Sequence, residues 1–418
     1  MSHSSHKSHS SHSSSPSLEQ IATAPKGDLH LHLDGSLRLE TLIELAQERN
    51  IELPSYTPEG LQKLVFKKTY ADLPDYLRGF AHTCAVMRDA EAVERISYEL
   101  AQDCIAENTR YIEARFAPQL LVENGADASN MLCAAARGLE RAAREHAATD
   151  AVKSGADMPF VFGVICCAMR TFNQHMGAYY GHLTRSLAGC GKSRIAATAS
   201  LVAVEAALEA RDKHGAPVVG FDLAGEEAGF RAGHHAEAFR RAQEGFLRKT
   251  VHAGEAYGPE SICEAVTACH AERIGHGTLL LSPEHVRDAT IEDPALYVRR
   301  LVEYVASRRI TLEVCPTSNL QTMPSLENDL RNHPLKKMLA QHLPVSIGTD
   351  NRLVSRTTLT DEIFKAVEAC ELDAAAASRL LLCAFKAAFY PSGYLEKRAF
   401  TAMAAERIHK ALHILTKS

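Results

Sequence analysis

Asp28-Leu29-His30-Leu31-His32-Leu33-Asp34-Gly35 alternates polar side chains with leucines, and a period of two is the mark of a strand whose successive side chains point to opposite faces. His30 and His32 therefore share one face, and Leu29, Leu31 and Leu33 the other. Seven further short apolar runs suit buried strands, at 110–117, 160–166, 218–223, 249–253, 273–275, 311–315 and 344–348. Phe160-Val161-Phe162-Gly163-Val164-Ile165 and Thr311-Leu312-Glu313-Val314 are good β-formers among them. Between the runs lie helix-like stretches at 37–49, 90–108, 130–145, 196–213 and 294–308.

Eight alternations of strand and helix point to an α/β chain folded as a (β/α)8 TIM-type barrel, although the count alone also allows a doubly wound sheet. About 75 residues separate the first strand from the second, so extra helices should be inserted after the first strand. One is expected at 73–80, where apolar side chains recur at helical spacing, either as core or laid over the barrel mouth. A second insertion, 171–191, carries His175, His182 and paired tyrosines that read as surface or packing residues, and 395–418 reads as a closing helix.

The chain has 418 residues, which exceeds the usual domain size, but a barrel with insertions can occupy that length as one unit. Residues 1–18 are almost all Ser and His, with His3, His6, His9 and His12 spaced by three, and hold too little apolar surface to order themselves. They are expected to be a disordered tail, a leader or cloning remnant with weak metal binding as the alternative. Residues 19–418 are expected to form the single folded domain. A net charge of −5 offers no basic surface for nucleic acid, so a small neutral or zwitterionic ligand is expected. Eleven cysteines lie scattered without a Cys-x-x-Cys pair or the apolar core of a signal peptide, which suggests a reduced cytoplasm. No apolar run approaches the ~20 residues of a membrane helix.

Catalytic groups of parallel α/β barrels sit at the carboxyl ends of the strands. Val251-His252-Ala253-Gly254-Glu255 places His252 at the end of the fifth strand, while His276 ends the sixth and Asp350 the eighth. Three imidazoles and a carboxylate suit Zn2+ with one coordination position left for water, and the lack of a clustered cysteine set argues against a purely structural site. Glu255 lies one turn past His252 and is better placed to give or take a proton than to bind metal. His146, His214, His234, His235, His270, His285, His333 and His342 fall in helices or loops and read as surface or packing, and the charges of 299–303 as a solvated helix face. No glycine-rich phosphate loop follows a strand, so a nucleotide phosphate is not the expected handle.

Seven stretches together resemble the adenosine deaminase family of the metal-dependent amidohydrolase superfamily. They are Lys26-Gly27-Asp28-Leu29-His30-Leu31-His32-Leu33-Asp34-Gly35-Ser36, Tyr111-Ile112-Glu113-Ala114-Arg115-Phe116, Asp222-Leu223-Ala224-Gly225-Glu226, Val251 to Glu255, Arg273-Ile274-Gly275-His276-Gly277, Glu313-Val314-Cys315-Pro316-Thr317-Ser318-Asn319 and Thr349-Asp350. They stand in the family's order between about residues 25 and 390. The resemblance implies one Zn2+ per chain held by His30, His32, His252 and Asp350, with Glu255 as proton donor and His276, with Asp350, acting on the water that the metal binds. It also implies a substrate-binding set of His32, Asp34, Gly225 and Asn351, with Asp34 at the ribose and the Gly225 backbone at the purine.

The reaction so implied is hydrolytic deamination of adenosine, and of 2'-deoxyadenosine, to inosine or its deoxy form and ammonia, in purine salvage. Zinc lowers the pKa of water from ~15.7 toward ~7. Attack at purine C6 breaks aromaticity, and protonation of ring N1 by Glu255 lowers the barrier to it. Cytidine-type zinc deaminases carry Pro-Cys-x-x-Cys, absent here. One position departs from the pattern: many members have a second aspartate where this chain has Asn351. An aspartate must be protonated to donate to purine N7, whereas an amide donates as it stands. The departure leaves another 6-aminopurine, such as 6-aminodeoxyfutalosine or adenine, as the alternative substrate, and a non-catalytic binding relative as a third reading. Asp34 and the 73–80 segment, which resembles an apolar gate over a nucleoside, favour adenosine.

Overall fold

The structure is a computed structural model that describes residues 15–414. Its strands are β1 (Lys26–His32), β2 (Thr109–Phe116), β3 (Val161–Met169), β4 (Val218–Ala224), β5 (Arg248–Ala253), β6 (Arg273–His276), β7 (Thr311–Val314) and β8 (Val345–Ile347). Each pairs in parallel with the next, in the order β1 to β8. A doubly wound sheet reverses its winding at a switch point; this one does not. The ring closes just beyond β8, where the His32 N–H donates to the Asp350 carbonyl at 2.7 Å and the Asp350 N–H to the His30 carbonyl at 2.8 Å. The fold is the (β/α)8 barrel.

Strand alternation sorts the side chains. Leu29, Leu31, Ile112, Val251, Ile274 and Leu312 are fully buried in the main apolar core. The interior of such a barrel is ordinarily filled by branched aliphatic residues, but here it holds charge. Glu313 meets Arg115 Nη2 at 2.9 Å and Arg273 Nε at 2.6 Å, and Arg115 Nη1 reaches Asp222 at 3.0 Å. Beneath them Arg273 pairs with Glu113. Phe389 closes the floor, its ring 3.5 Å from the Arg273 guanidinium and its N–H donating to Glu113 at 2.5 Å. Burial pushes the Glu313 carboxyl up, but the charges of Arg115 and Arg273 outweigh it and hold the group well below the usual carboxylate range.

The crossover from β1 to β2 contains the helices Leu39–Glu48, Pro58–Leu64, Leu73–Leu77, Phe80–Val86 and Ala90–Ala106, so the extra helices after the first strand are present. The expected helix at 73–80 is two short ones. Around Arg78 and Gly79 the amides reach back three residues rather than four, Arg78 to Asp75 and Gly79 to Tyr76, and this tightening ends the first helix. In 171–191 the helix Ala178–Ser186 buries Tyr179 and Tyr180, while His175 and His182 are exposed. The closing helix is Tyr394–Ala411, and 415–418 fall outside the described residues.

The expected tail at 1–18 lies outside the described residues as far as 14, and its end needs correcting. Ser17 caps a helix at Leu18–Thr23, its side chain accepting from the Gln20 N–H while Gln20 reaches back to the Ser17 N–H, so regular structure begins inside the expected tail. Among the described residues no helix is long and apolar enough to cross a membrane.

Candidate active site

β1 brings His30 and His32 to one face, and the end of β5 brings His252 opposite them. His32 Nε2 and His252 Nε2 lie 3.1 Å apart, and Asp350 Oδ1 is 3.6 Å from the Nε2 of both His30 and His32. All four residues are buried, and His30 Nε2 has no hydrogen-bond partner. Their outer ring nitrogens are engaged: His30 Nδ1 donates to Glu313 at 2.8 Å and His252 Nδ1 to Asp222 at 3.2 Å. That leaves the Nε2 lone pairs of His30 and His252 turned inward, with His32 Nε2 and the Asp350 carboxylate facing them, a set of donor atoms that one cation can share. Bonds of ~2.0–2.1 Å to a tetrahedral ion put ligand atoms about 3.3 Å apart. The donor set fits a small divalent cation.

Neutral imidazole is the ligating form. Burial drives His252 down to about 3 and holds His30 below its ordinary value. His32 behaves differently, because burial lowers it but the nearby carboxylates of Asp34 and Asp350 outweigh this and raise it. A cation entering here competes with a proton for His32. Metal affinity is therefore expected to fall as pH falls, by about tenfold per unit for each proton displaced. Competition with a chelator at pH 8 and pH 6 measures it, and equal affinities would contradict the placement of His32 in the ligand set.

Two of the residues around the cluster pay for their position with backbone conformations that side chains rarely adopt, His276 at φ 64° and Asp350 at φ 58°. Gly275 precedes His276 because nothing larger fits; a Cβ there would stand 2.8 Å from His30 Cε1. Ser318 donates to Asp350 Oδ2 at 2.6 Å.

Glu255 is buried beyond β5, its Oε2 3.6 Å from His276 Nε2 and its Oε1 3.4 Å from the Thr322 hydroxyl. Burial raises its carboxyl above the usual range, helped by the negative charges of Asp350 and Glu227 and opposed by His276. Such a group keeps its proton longer than an ordinary glutamate.

The proton on His276 is directed from behind. The Leu335 N–H donates to His333 Nδ1 at 3.0 Å, so neutral His333 carries its hydrogen on Nε2, 3.3 Å from Asn319 Oδ1. Asn319 Nδ2 in turn donates to His276 Nδ1 at 3.1 Å. A main-chain amide cannot reverse, so it orients the whole chain, and neutral His276 presents Nε2–H to the site. Burial and the neighbouring His276 hold His333 down at about 3.

Asp34 is buried, its Oδ1 3.7 Å from His32 Nδ1 and without a hydrogen bond, and Gly225 follows directly on β4. Asn351 is buried, donates from Nδ2 to the Tyr76 hydroxyl at 2.8 Å and leaves Oδ1 free. Tyr76 also meets Ser355 at 2.8 Å. The inserted helices thus border the site through Tyr76.

The profile of the adenosine deaminase family matches residues 25–402. A protein of Mycobacterium marinum named adenosine deaminase is 34% identical over 376 residues, 90% of this chain and 92% of its own length. The chain belongs to the adenosine deaminase family. It is thereby an aminohydrolase. Solved structures share the fold: an Arabidopsis thaliana N6-methyl-AMP deaminase has a TM-score of 0.67 at 23% identity, covering 93% of this chain and 98% of its own. A zinc-bound amidohydrolase of Burkholderia ambifaria has a TM-score of 0.70 at 18% identity, covering 95% and 93%.

Within this family member the structure gathers His30, His32, His252, Glu255, His276 and Asp350 into one buried cluster, sets Asp34 and Asn351 beside it, and places Gly225 at the end of β4. Sequence reading left Asp222, Glu313, Asn319 and Ser318 without roles, though all four stand in the matching stretches. A charged residue in an apolar strand was the available signal for Glu313, since glutamate is almost never fully buried unless paired. His333 was read as surface or packing. It is buried and hydrogen-bonded toward His276, whereas His214, His234, His270 and His342 are exposed, and His235 packs against Ser200 at 2.7 Å.

Proposed function

We propose that this chain converts adenosine and 2'-deoxyadenosine to inosine or 2'-deoxyinosine and ammonia, in purine salvage, with one Zn2+ held by His30, His32, His252 and Asp350. The observation that carries the reading is the convergence of three Nε2 lone pairs and a carboxylate beside a buried glutamate whose carboxyl is raised. We assign the chain from Ser17, the cap of the first helix, onward to this one catalytic unit and place it in the cytoplasm, in keeping with eleven unpaired cysteines.

When bound, the ion supplies Lewis acidity that makes water nucleophilic at neutral pH. His276 Nε2–H orients the attacking water, and the Asp350 carboxylate accepts its proton. Glu255 gives its proton to purine N1 as C6 is attacked, so that no full negative charge builds on the ring. The proton held at Asp350 then passes to the C6 amine, which leaves as ammonia; the hydrogen left on the C6 hydroxyl returns to Glu255 as the carbonyl forms, and N1 retains the proton it received. Asp34 Oδ1, a buried acceptor that takes no hydrogen bond, is the group for a sugar hydroxyl. His32 packs beside Asp34 at 3.7 Å, and Gly225 and Asn351 face the purine.

The amide at Asn351 favours the second reading, a different 6-aminopurine. A panel of adenosine, 2'-deoxyadenosine, adenine and 6-aminodeoxyfutalosine with zinc-loaded protein decides between them by kcat/KM. Adenosine and its deoxy form are expected to lead. Turnover of adenine or 6-aminodeoxyfutalosine alone would replace the substrate, and no turnover with no zinc retained would leave only a binding protein.

A further inference from the structure

We propose that Glu227 is a positioning residue for Glu255, its carboxylate serving as the fixed anion around which the loop carrying the proton donor is wound. The proposal rests on the reading of Glu255 as that donor. Glu227 lies two residues past Gly225, in the loop that follows β4, and is buried. Its Oε1 accepts from the Gly254 N–H at 2.6 Å. Its Oε2 accepts from the N–H groups of Glu255 at 3.0 Å, Ala256 at 2.7 Å and Tyr257 at 3.1 Å.

Four consecutive main-chain donors thus converge on one side chain. Consecutive amides of an extended chain point in alternate directions, so convergence requires the backbone to curl into a concave nest. Gly254, at φ 72°, supplies the turn that an L side chain rarely makes, and a Cβ there would also lie 2.5 Å from Ile262 Cδ1. Among the described residues no arginine, lysine or histidine forms an ion pair with Glu227. Its charge is balanced by the amide dipoles, and those amides in turn have no other acceptor among the described residues.

The consequence falls on Glu255, because its own N–H is the second of the four. With residues on both sides of it also tied to Glu227, its Cα cannot shift without breaking charge-assisted bonds. The side chain reaches its position near His276 and Thr322 from a pinned root. None of this involves the ligand cluster directly: Glu227 touches neither His30, His32, His252 nor Asp350. Loss of Glu227 should therefore misplace the proton donor and leave the metal in place, and misplacement by about 1 Å costs on the order of 10²-fold in rate.

The test uses the full-length, zinc-loaded protein with Glu227→Gln and Glu227→Ala. Both are expected to retain zinc and to lose about 10²-fold in kcat with a much smaller change in KM. Hydrogen exchange at the amides of residues 254–257 is expected to speed up in both. Formate, a carboxylate small enough to occupy the vacated nest, is expected to slow that exchange and restore part of kcat in Glu227→Ala, and to do neither in the parent protein. If Glu227→Ala does not fold, the near-isosteric Glu227→Gln carries the exchange and kcat measurements. Unchanged exchange, unchanged kcat despite faster exchange, or a loss confined to KM would each overturn the proposal. An inactive parent protein would instead refute the catalytic reading, and the exchange measurement would still report on Glu227 alone.

Discussion

Glu255→Gln is expected to cut turnover by about 10²–10⁴-fold, the range lost when a positioned acid is removed, while zinc content stays that of the parent. Glutamine has the size and shape of glutamic acid, and Glu255 stands outside the ligand set, 3.6 Å from His276 on the far side of it. What it cannot do is give up a proton to N1. The pH dependence should separate this from a loss of binding. A raised carboxyl keeps its proton to higher pH than a free glutamate, so the parent enzyme should lose activity as pH rises through that raised value, and the residual activity of the variant should lack this alkaline limb. Initial rates of absorbance change across a pH series, with metal analysis of the same samples, make the measurement. Turnover within threefold or so of the parent would remove Glu255 from the role of acid.

Glu313→Ala should have the largest effect on stability. Glu313 is shared by Arg115, Arg273, Thr250 and His30, all inside the barrel, and its removal takes one of two carboxylate partners from each of two buried guanidinium groups, leaving Arg115 with Asp222 and Arg273 with Glu113. Breaking a buried pair in this way costs about 3–5 kcal/mol. His30 loses the acceptor that fixes its ring, so zinc affinity should fall as well. Because the folded-state carboxyl is held below its unfolded value, its contribution is present above the unfolded pKa of about 4.3 and is lost as pH falls through the folded one. The variant should accordingly differ from the parent at pH 7 and converge on it in acid. Urea unfolding at the two pH values, run with and without added zinc, measures both effects. A destabilisation below about 1 kcal/mol would mean that Asp222 and Glu113 alone suffice to compensate Arg115 and Arg273.

The eight strands were legible because each is a short apolar or alternating run bounded by helical stretches, and such runs report burial locally. The positions of His30, His32, His252 and Asp350 followed from strand ends. Partnerships were not legible in the same way. Glu313 and His30 are 283 residues apart in the chain, and no local pattern announces that they meet. His333 and His342 sit in similar loops, yet one is buried beside Asn319 and the other is exposed, a difference made by the packing of distant elements. Glu226 and Glu227 are adjacent and identical in type; only the fold of the loop after β5 decides which of them is buried.

Barrel closure depends on a short stretch of main chain, the pairing of Leu31 with Asp350, flanked by His30 and His32. The proposed zinc would be gripped by His30 and His32 on one side of this joint and by Asp350 on the other, so it would act as a rivet as well as a catalyst. Free zinc at a hundred times its dissociation constant adds about 2.7 kcal/mol to a fold that binds it and a denatured chain that does not. Metal starvation would then raise the fraction of unfolded, protease-sensitive chain by about a hundredfold, so that the amount of enzyme in a cell, and not only its specific activity, would follow the zinc supply.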